Sequence, residues 1–129
     1  MPEGDFSAVK YKCLSIVSPG GSKIAKGEKT IEVRSWQPAL EPTEDLLIVE
    51  NNNYLRKDGD LDYKGVVVAI VKVKTVREYL KEDIPLACAT RWDPGYYSWE
   101  LCDVRPVSYD QKVLAARDIY ELDLDLVLR

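Results

Sequence analysis

The run GVVVAIVKVKTV, residues 65–76, constrains the fold of this chain more than any other stretch. Its β-branched side chains favour an extended backbone, because two heavy atoms on Cβ restrict the side chain in a helix. The run predicts a long central strand. The shorter run LLIVEN, residues 46–51, places apolar side chains on both faces, which is typical of a strand that is covered on both sides. Together the two runs predict a β-rich fold.

Other segments extend this pattern along the chain. Three of them alternate in the way that predicts strands: YKCLSIVS at 11–18, TIEVRSW at 30–36 and YYSWELCDVRPV at 96–107. SKIAK, residues 22–26, predicts a very short helix with Ser22 as its N-cap and Gly27 in the left-handed position after its end. RKDGDLDYKG, residues 56–65, predicts a turn region.

The tail, residues 109–129, predicts a helical turn followed by a strand whose leucines share one face: Leu122, Leu124, Leu126 and Leu128. With five or six strands and little helix, we expect a mixed α+β fold that is mainly β, a small β-barrel with short flanking helices. The length of 129 residues predicts a single domain over residues 1–129.

Charge and composition exclude several classes of function. The formal net charge is −4, so the chain as a whole repels polyanions and any nucleic-acid contact needs a local basic patch. The chain contains no histidine, which excludes Ser-His and Cys-His catalytic pairs. No apolar run approaches the roughly 18 residues of a membrane span, so we expect no membrane partner.

The three cysteines, Cys13, Cys88 and Cys102, are widely separated and form no CxxC motif. This spacing predicts no metal site, and no feature of the sequence predicts a cofactor. The start of the chain, MPEGDFSAVKYK, lacks the layout of a signal peptide. We therefore expect a reduced, cytoplasmic protein.

The segment GEKTIEVR, residues 27–34, concentrates charge around the start of a predicted strand. Residues i and i+2 of a strand point the same way about 7 Å apart, so Glu32 and Arg34 are neighbours on its polar face. Lys29 precedes the strand in a glycine-containing turn and could fold onto the same face. Spacing alone leaves two interpretations open: a solvated strand face with an ion pair worth about 0–1 kcal/mol, or a binding site.

Aromatic and hydroxyl side chains supply further ligand candidates. Trp36 shares the face of the charged residues and borders a polar loop, while Tyr97 and Trp99 share a face on a later strand. Aromatic rings stack on nucleobases, a contact worth about 1–3 kcal/mol per base, although core packing is the alternative explanation for each ring. Ser18, which precedes a Pro-Gly-Gly turn, offers a hydroxyl to an anion.

The charged segment resembles the signature of a known family. GEKTIEVR matches the pattern G-x-K-x-x-E-x-R of the ASCH domain at all four specified positions, namely Gly27, Lys29, Glu32 and Arg34. The flanking stretches LSIVSPGGSKIAKG, DLLIVENN, GVVVAIVKV and YYSWELCDVRPV follow in the order of the family. The chain is similar to the family over about residues 12–107, which leaves 108–129 as a C-terminal extension. The resemblance implies a PUA-like β-barrel with a cleft lined by the signature.

The resemblance also implies that this cleft binds RNA or another nucleic acid. Because the chain is acidic, we expect a nucleotide, a modified nucleoside or a short single-stranded RNA. Lys29 and Arg34 would contact the anion, and Glu32 would orient them.

Two alternatives stay open at this stage. The resemblance implies a hydrolase of acylated or modified nucleosides, or a ribonuclease, in which Lys29 and Glu32 are catalytic. Amide-hydrolysing relatives have a threonine nucleophile where this chain has Glu32, and a carboxylate there would instead activate water as a general base. The other alternative is a protein-interaction module whose ion cluster is structural.

Overall fold

The computed structural model describes residues 8–126, which form a mainly β fold with two short helices. Its elements, in chain order, are β1 (Val9–Val17), α1 (Gly20–Ala25), β2 (Ile31–Arg34), β3 (Leu46–Asn51), β4 (Leu61–Glu78), α2 (Ile84–Ala87), β5 (Tyr97–Pro106), β6 (Val113–Ala116) and β7 (Ile119–Leu124). A single 3-10 turn, Lys81–Asp83, precedes α2. No helix in this described range combines the length and the apolar character needed to cross a membrane.

The strands form one sheet in the order β2-β5-β4-β3-β1-β7, and β6 pairs with the first part of β4. The pair of β1 with β3 is parallel, and the other described pairs are antiparallel. The predicted barrel is not confirmed, because no pairing among residues 8–126 joins the end strands β2 and β7. Beside β2 the chain meets α2 instead: the Thr30 N–H donates to the Leu86 carbonyl at 2.9 Å.

Both faces of the sheet carry a buried core, as the apolar run of β3 predicts. Leu46 and Ile48 belong to the core on the first face, and Leu47 and Val49 belong to the core on the second. Neighbours along a strand point to opposite faces, so one continuous apolar run serves both cores. α1 packs on the first core, which also contains Trp99, and β6 packs on the second.

The strand β4, Leu61–Glu78, is longer than the prediction at 65–76. Its first residues lie in the segment predicted as a turn, and they are extended because β6 pairs with them. The register between β3 and β4 shifts between Ile48 and Val49, which leaves one extra residue in β4, as in a β-bulge.

The tail contains two strands where the sequence predicts a helical turn and one strand. β6, Val113–Ala116, replaces the helical turn because its backbone pairs with the edge that β4 offers. A turn in which Asp118 has a φ of 60° leads into β7. The shared leucine face is confirmed for Leu122, Leu124 and Leu126, which pack on the second core. The fourth predicted leucine, Leu128, lies outside the described residues.

The helix α1 begins two residues before the predicted helix at 22–26. Gly27 follows it with a φ of 79°, which confirms the predicted left-handed position. The predicted capping role of Ser22 is wrong, because Ser22 lies inside the helix. Its N–H and its hydroxyl instead donate to the Glu50 carboxylate, at 2.7 and 2.8 Å. This contact ties α1 to the end of β3.

The close approach of β6 to β4 at Gly65 generates a stability prediction. A Cβ at this position would lie 2.6 Å from Val49 Cγ1 and 2.8 Å from the Val113 carbonyl oxygen. We expect Gly65→Ala to lower the free energy of unfolding by about 1–3 kcal/mol, measured by urea denaturation, because a packed interior does not accept an extra methyl group. The neighbouring exposed Lys64→Ala is the control and should change stability by less than about 0.5 kcal/mol. Equal stability of the two variants would contradict the prediction.

Candidate functional site

A cavity of about 500 Å³ opens where six parts of the fold meet. Its wall is formed by the end of β1, the start of α1, β2, the loop after β3, the end of α2 and the turn between β6 and β7. Ligand pockets commonly have volumes of about 300–1,000 Å³, so this space suits a small organic ligand.

A buried carboxylate between two cations forms one part of this wall. Lys29 Nζ lies 3.3 Å from Glu32 Oε1, and Arg34 Nε donates to Glu32 Oε2 at 2.6 Å. Lys29 and Glu32 are only 9% and 6% exposed. The first interpretation of the spacing, an ion pair on a solvated strand face, is therefore wrong. Lys29, whose direction the strand pattern left open, therefore lies on the face of Glu32 and Arg34.

Both cations are also bound by backbone carbonyls. Lys29 Nζ donates to the Ala87 carbonyl oxygen at 2.6 Å, and an Arg34 terminal nitrogen donates to the Ser15 carbonyl oxygen at 3.0 Å. The Lys29 N–H donates to the Lys23 carbonyl at 3.1 Å, which fixes the turn before β2 on α1. The ion cluster therefore connects β2 to α1, α2 and β1.

The position of α2 depends on a second ion pair. Asp83, at the start of α2, accepts bonds from both terminal nitrogens of Arg77, at 2.7 and 2.9 Å, and from the Ser98 hydroxyl at 2.9 Å. The hydrogen bonds from Arg77 outweigh the effect of burial and hold the pKa of Asp83 at about 2. The carboxylate is therefore ionised at neutral pH and anchors the helix whose last carbonyl binds Lys29.

The protonation of Glu32 follows from its surroundings. Burial by itself would raise its pKa, but the charges of Arg34 and Lys29 and their hydrogen bonds outweigh burial and leave the pKa below the ordinary 4.5. Glu32 is therefore a carboxylate at neutral pH. Because both of its oxygens are already paired, it is a weak base that orients the two cations.

The described wall of the cavity carries more positive than negative charge. It contains four cationic and two acidic side chains: Lys23, Lys29, Arg34 and Arg117 against Glu32 and Asp118. This local surplus is the basic patch that a chain of net charge −4 needs in order to attract an anion.

The family model of the ASCH domain matches residues 14–110 of the 129 in the chain. The chain belongs to the ASCH domain family. This family is generally thought to bind RNA. No curated protein sequence matches the chain.

Two solved structures are similar to this ASCH domain, both of them mutant forms of ZmASCH from Zymomonas mobilis. The first is 13% identical with a TM-score of 0.57, and the alignment covers 78% of this chain and 75% of that chain. The second is 12% identical with a TM-score of 0.54, covering 84% of this chain and 88% of that chain. At these identities the similarity shows a shared fold.

The aromatic residues predicted as a stacking wall are only partly available. Trp36 is half-buried and lines the cavity, but Trp99 is 0% exposed and belongs to the first core. Their rings meet edge to face with centroids 5.0 Å apart, so Trp36 covers Trp99. Tyr97 packs against the same core and is not part of the cavity wall. The prediction of a stacking role for Trp99 is therefore corrected, because β5 lies between β2 and β4 and its apolar face is covered.

Two further predicted residues contribute in different ways. Ser18 lines the cavity, at the cis peptide bond that joins it to Pro19, and its N–H donates to the Asn51 carbonyl at 2.8 Å. Gly27 does not line the cavity. Its left-handed conformation ends α1 and directs the chain towards Lys29 and β2.

One exposed aromatic ring at the cavity is not among the residues predicted from the sequence. Tyr54 is 68% exposed and lines the cavity in the loop after β3, with the Arg56 guanidinium 5.2 Å from its ring centroid. The only sequence signal was an aromatic residue directly after three asparagines. The asparagine amides themselves are engaged, because those of Asn51 and Asn53 donate to the Asp62 carboxylate at 3.4 and 3.0 Å.

Arg117 and Asp118, in the turn between β6 and β7, also line the cavity without having been predicted from the sequence. This turn lies beyond the family match, which ends at residue 110. Nothing in the local pattern separates these two residues from the other charges of the tail. Across residues 8–126, no three potential metal ligands among His, Cys, Asp and Glu side chains cluster together.

Removal of the buried carboxylate charge generates the second prediction. We expect Glu32→Gln to lower the free energy of unfolding at pH 7 by about 3 kcal/mol, because two partly or fully buried cations lose their partner. The exposed Glu78→Gln is the control and should be within about 0.5 kcal/mol of wild type. A variant as stable as wild type would show that the ion cluster contributes nothing to stability.

The pH dependence of this effect has a fixed sign. The pKa of Glu32 is lower in the folded state than in the unfolded state, so the unfolded chain binds more protons in acid. The stabilising effect is complete above the ordinary value of 4.5 and is lost as the pH falls through the folded pKa. The stability difference between wild type and Glu32→Gln should therefore shrink as the pH falls below 4.5.

Proposed function

We propose that this ASCH domain binds RNA by taking a nucleotide, a modified nucleoside or a short single-stranded segment into the cavity. The observation that carries the proposal is the buried cluster of Lys29, Glu32 and Arg34 in the wall of a space of about 500 Å³. A site whose polar groups are fixed before binding loses little entropy when the ligand enters.

The signature cations retain hydrogen-bonding capacity. An ammonium has three N–H donors and a guanidinium five, and the described contacts of Lys29 and Arg34 engage two of each. The remaining donors suit phosphate or carbonyl oxygens of a nucleotide. Glu32 holds the two cations at fixed positions.

Electrostatics favours a short ligand over a long duplex. The cavity wall carries a positive surplus, whereas β7 presents the exposed acidic residues Glu121 and Asp123. A duplex extending beyond the cavity would meet this negative surface, while a single nucleotide unit would not.

Two aromatic residues supply contacts to a base. Tyr54 is exposed at the cavity and Trp36 is held by Trp99, so one ring adapts to the ligand and the other is fixed. Single-stranded nucleic acids commonly bind through stacking on such rings, with a basic groove following the backbone.

Binding is better supported than hydrolysis of acylated nucleosides or cleavage of RNA by Lys29 and Glu32. A general base works best with a pKa near the operating pH, and the pKa of Glu32 is lowered instead. Glu32 also neutralises part of the positive charge with which Lys29 and Arg34 would stabilise an oxyanion.

We also propose a cytoplasmic location and a single domain. All three cysteines are free, which suits a reduced cytoplasmic compartment. The described residues form one sheet with a core on each face, which suits a single domain.

The function is tested by fluorescence anisotropy with a labelled short oligoribonucleotide and with a duplex of the same sequence. We expect tighter binding of the single strand and weakening with added salt. Absence of binding to RNA and to nucleoside monophosphates would overturn the proposal. A parallel incubation with acylated cytidine, followed by chromatography, separates binding from catalysis. Product that disappears in both Lys29→Ala and Glu32→Gln would establish the hydrolase instead.

The third prediction concerns the exposed ring. Tyr54→Ala should weaken binding of the oligoribonucleotide by about 1–3 kcal/mol, or roughly 5-fold to 150-fold in Kd, because a stacking contact is lost. Tyr63→Ala is the matched control, since Tyr63 is 70% exposed and lies outside the cavity wall. Equal affinities of the two variants would exclude stacking on Tyr54.

A further inference from the structure

We infer that the turn between β6 and β7 adds a phosphate-binding subsite to the cavity, in which Arg117 contacts the phosphate of a nucleotide ligand. The inference rests on the proposed function and narrows it, because it names a ligand that carries a phosphate rather than a free nucleoside. Arg117 lies outside the family match and in none of the signature positions.

Side-chain hydrogen bonds of Ser15 in β1 help to fix the turn to the site, beside the pairing of β7 with β1. Ser15 Oγ accepts the Ala116 N–H at 3.2 Å and lies 2.8 Å from the Tyr120 hydroxyl. The Tyr120 hydroxyl donates onward to the Leu114 carbonyl at 3.0 Å, so the Ser15 hydroxyl donates to Tyr120. These bonds hold both sides of the turn against β1.

Ser15 also connects the turn to the signature residues. Its carbonyl oxygen accepts the bond from Arg34, while its hydroxyl holds the strand next to Arg117. Ser15 therefore holds the Arg34 guanidinium directly, whereas it holds Arg117 only through the backbone of the neighbouring Ala116. The two arginines line the same cavity, one from the family core and one from the C-terminal extension.

The cations of the cavity wall differ in how firmly their contacts hold them. Lys29 and Arg34 are committed to Glu32 and to backbone carbonyls. The described ion pair of Arg117 is with Asp58, at 3.2 Å, and the Asp58 side chain is 97% exposed. Pairs with such exposed partners are weak, so a phosphate can replace Asp58 at little cost.

The remaining charges of the wall support an anion at this place. Asp118 adds a negative charge beside Arg117, and Lys23 offsets it. No carboxylate of residues 8–126 lies within 4 Å of the Lys23 ammonium as an ion pair. A guanidinium presents two parallel N–H groups that match two phosphate oxygens, which makes Arg117 the better-suited of the two cations.

The test compares nucleoside 5′-monophosphates with the corresponding nucleosides by isothermal titration calorimetry. We expect Arg117→Ala to weaken monophosphate binding about tenfold, because one charge-assisted contact is lost, and to leave nucleoside binding unchanged. Asp58→Asn should strengthen monophosphate binding by up to about fivefold, because it removes the competing carboxylate. The exposed Lys112→Ala, outside the cavity wall, is the control for a general loss of positive charge.

Binding of the oligoribonucleotide gives a second readout. In Arg117→Ala the slope of log K against log salt concentration should decrease in magnitude by about 0.7, as expected for one phosphate contact to a single strand, and it should not change in Lys112→Ala. Thermal unfolding of Arg117→Ala, with an unchanged midpoint, would show that lost affinity does not reflect lost folding.

The outcomes separate the inference from the proposed function. If wild type binds nucleotides or RNA and Arg117→Ala binds them with the same affinity and salt slope, the subsite is overturned and the proposed function stands. An equal loss of affinity for nucleosides and monophosphates in Arg117→Ala would also overturn the subsite, because Arg117 would then shape the cavity without contacting the phosphate. If wild type binds none of these probes, the proposed function and the phosphate subsite are both overturned.

Discussion

The site depends on one buried carboxylate, Glu32, held between an ammonium and a guanidinium. A buried charge without a partner is strongly destabilising, so all three groups must be placed together or not at all. The carbonyls that hold Lys29 and Arg34 come from α2 and β1, which lie far apart in the sequence. The cluster therefore contacts elements beyond its own strand. It fixes how a helix, a strand and a turn meet, and the cavity is the space left between them.

The sheet supplies the rigid support that this cluster needs. Its two cores cover both faces of β3, so the strand ends that reach the cavity have little freedom to move. The side chains that line the cavity lie mainly in loops and at strand ends, where polar groups keep access to water. Because the sheet stays open at β2, α2 approaches the signature directly and its last carbonyl becomes part of the site.

The arrangement of charge favours recognition over chemistry. A lowered pKa and two engaged oxygens make Glu32 a structural anion, whereas a catalytic base needs a raised pKa and a free oxygen. The more weakly held cations, Lys23 and Arg117, come from outside the signature. In the proposed binding mode, the signature of this ASCH domain forms a rigid wall, and neighbouring elements adapt that wall to a particular ligand.

Local patterns are enough to predict the strongly alternating strands, the left-handed Gly27 and the neighbouring positions of Glu32 and Arg34, because each depends on local periodicity or local backbone freedom. Long-range contacts instead account for the burial of Trp99, the formation of β6 in place of a helical turn and the approach of Arg117 to the cavity. Those outcomes depend on which segments pair across long stretches of chain. Periodicity describes which way a side chain points from its own strand, but not which other element packs over that side chain. A cavity forms where no element packs over the side chains, so periodicity alone does not predict it.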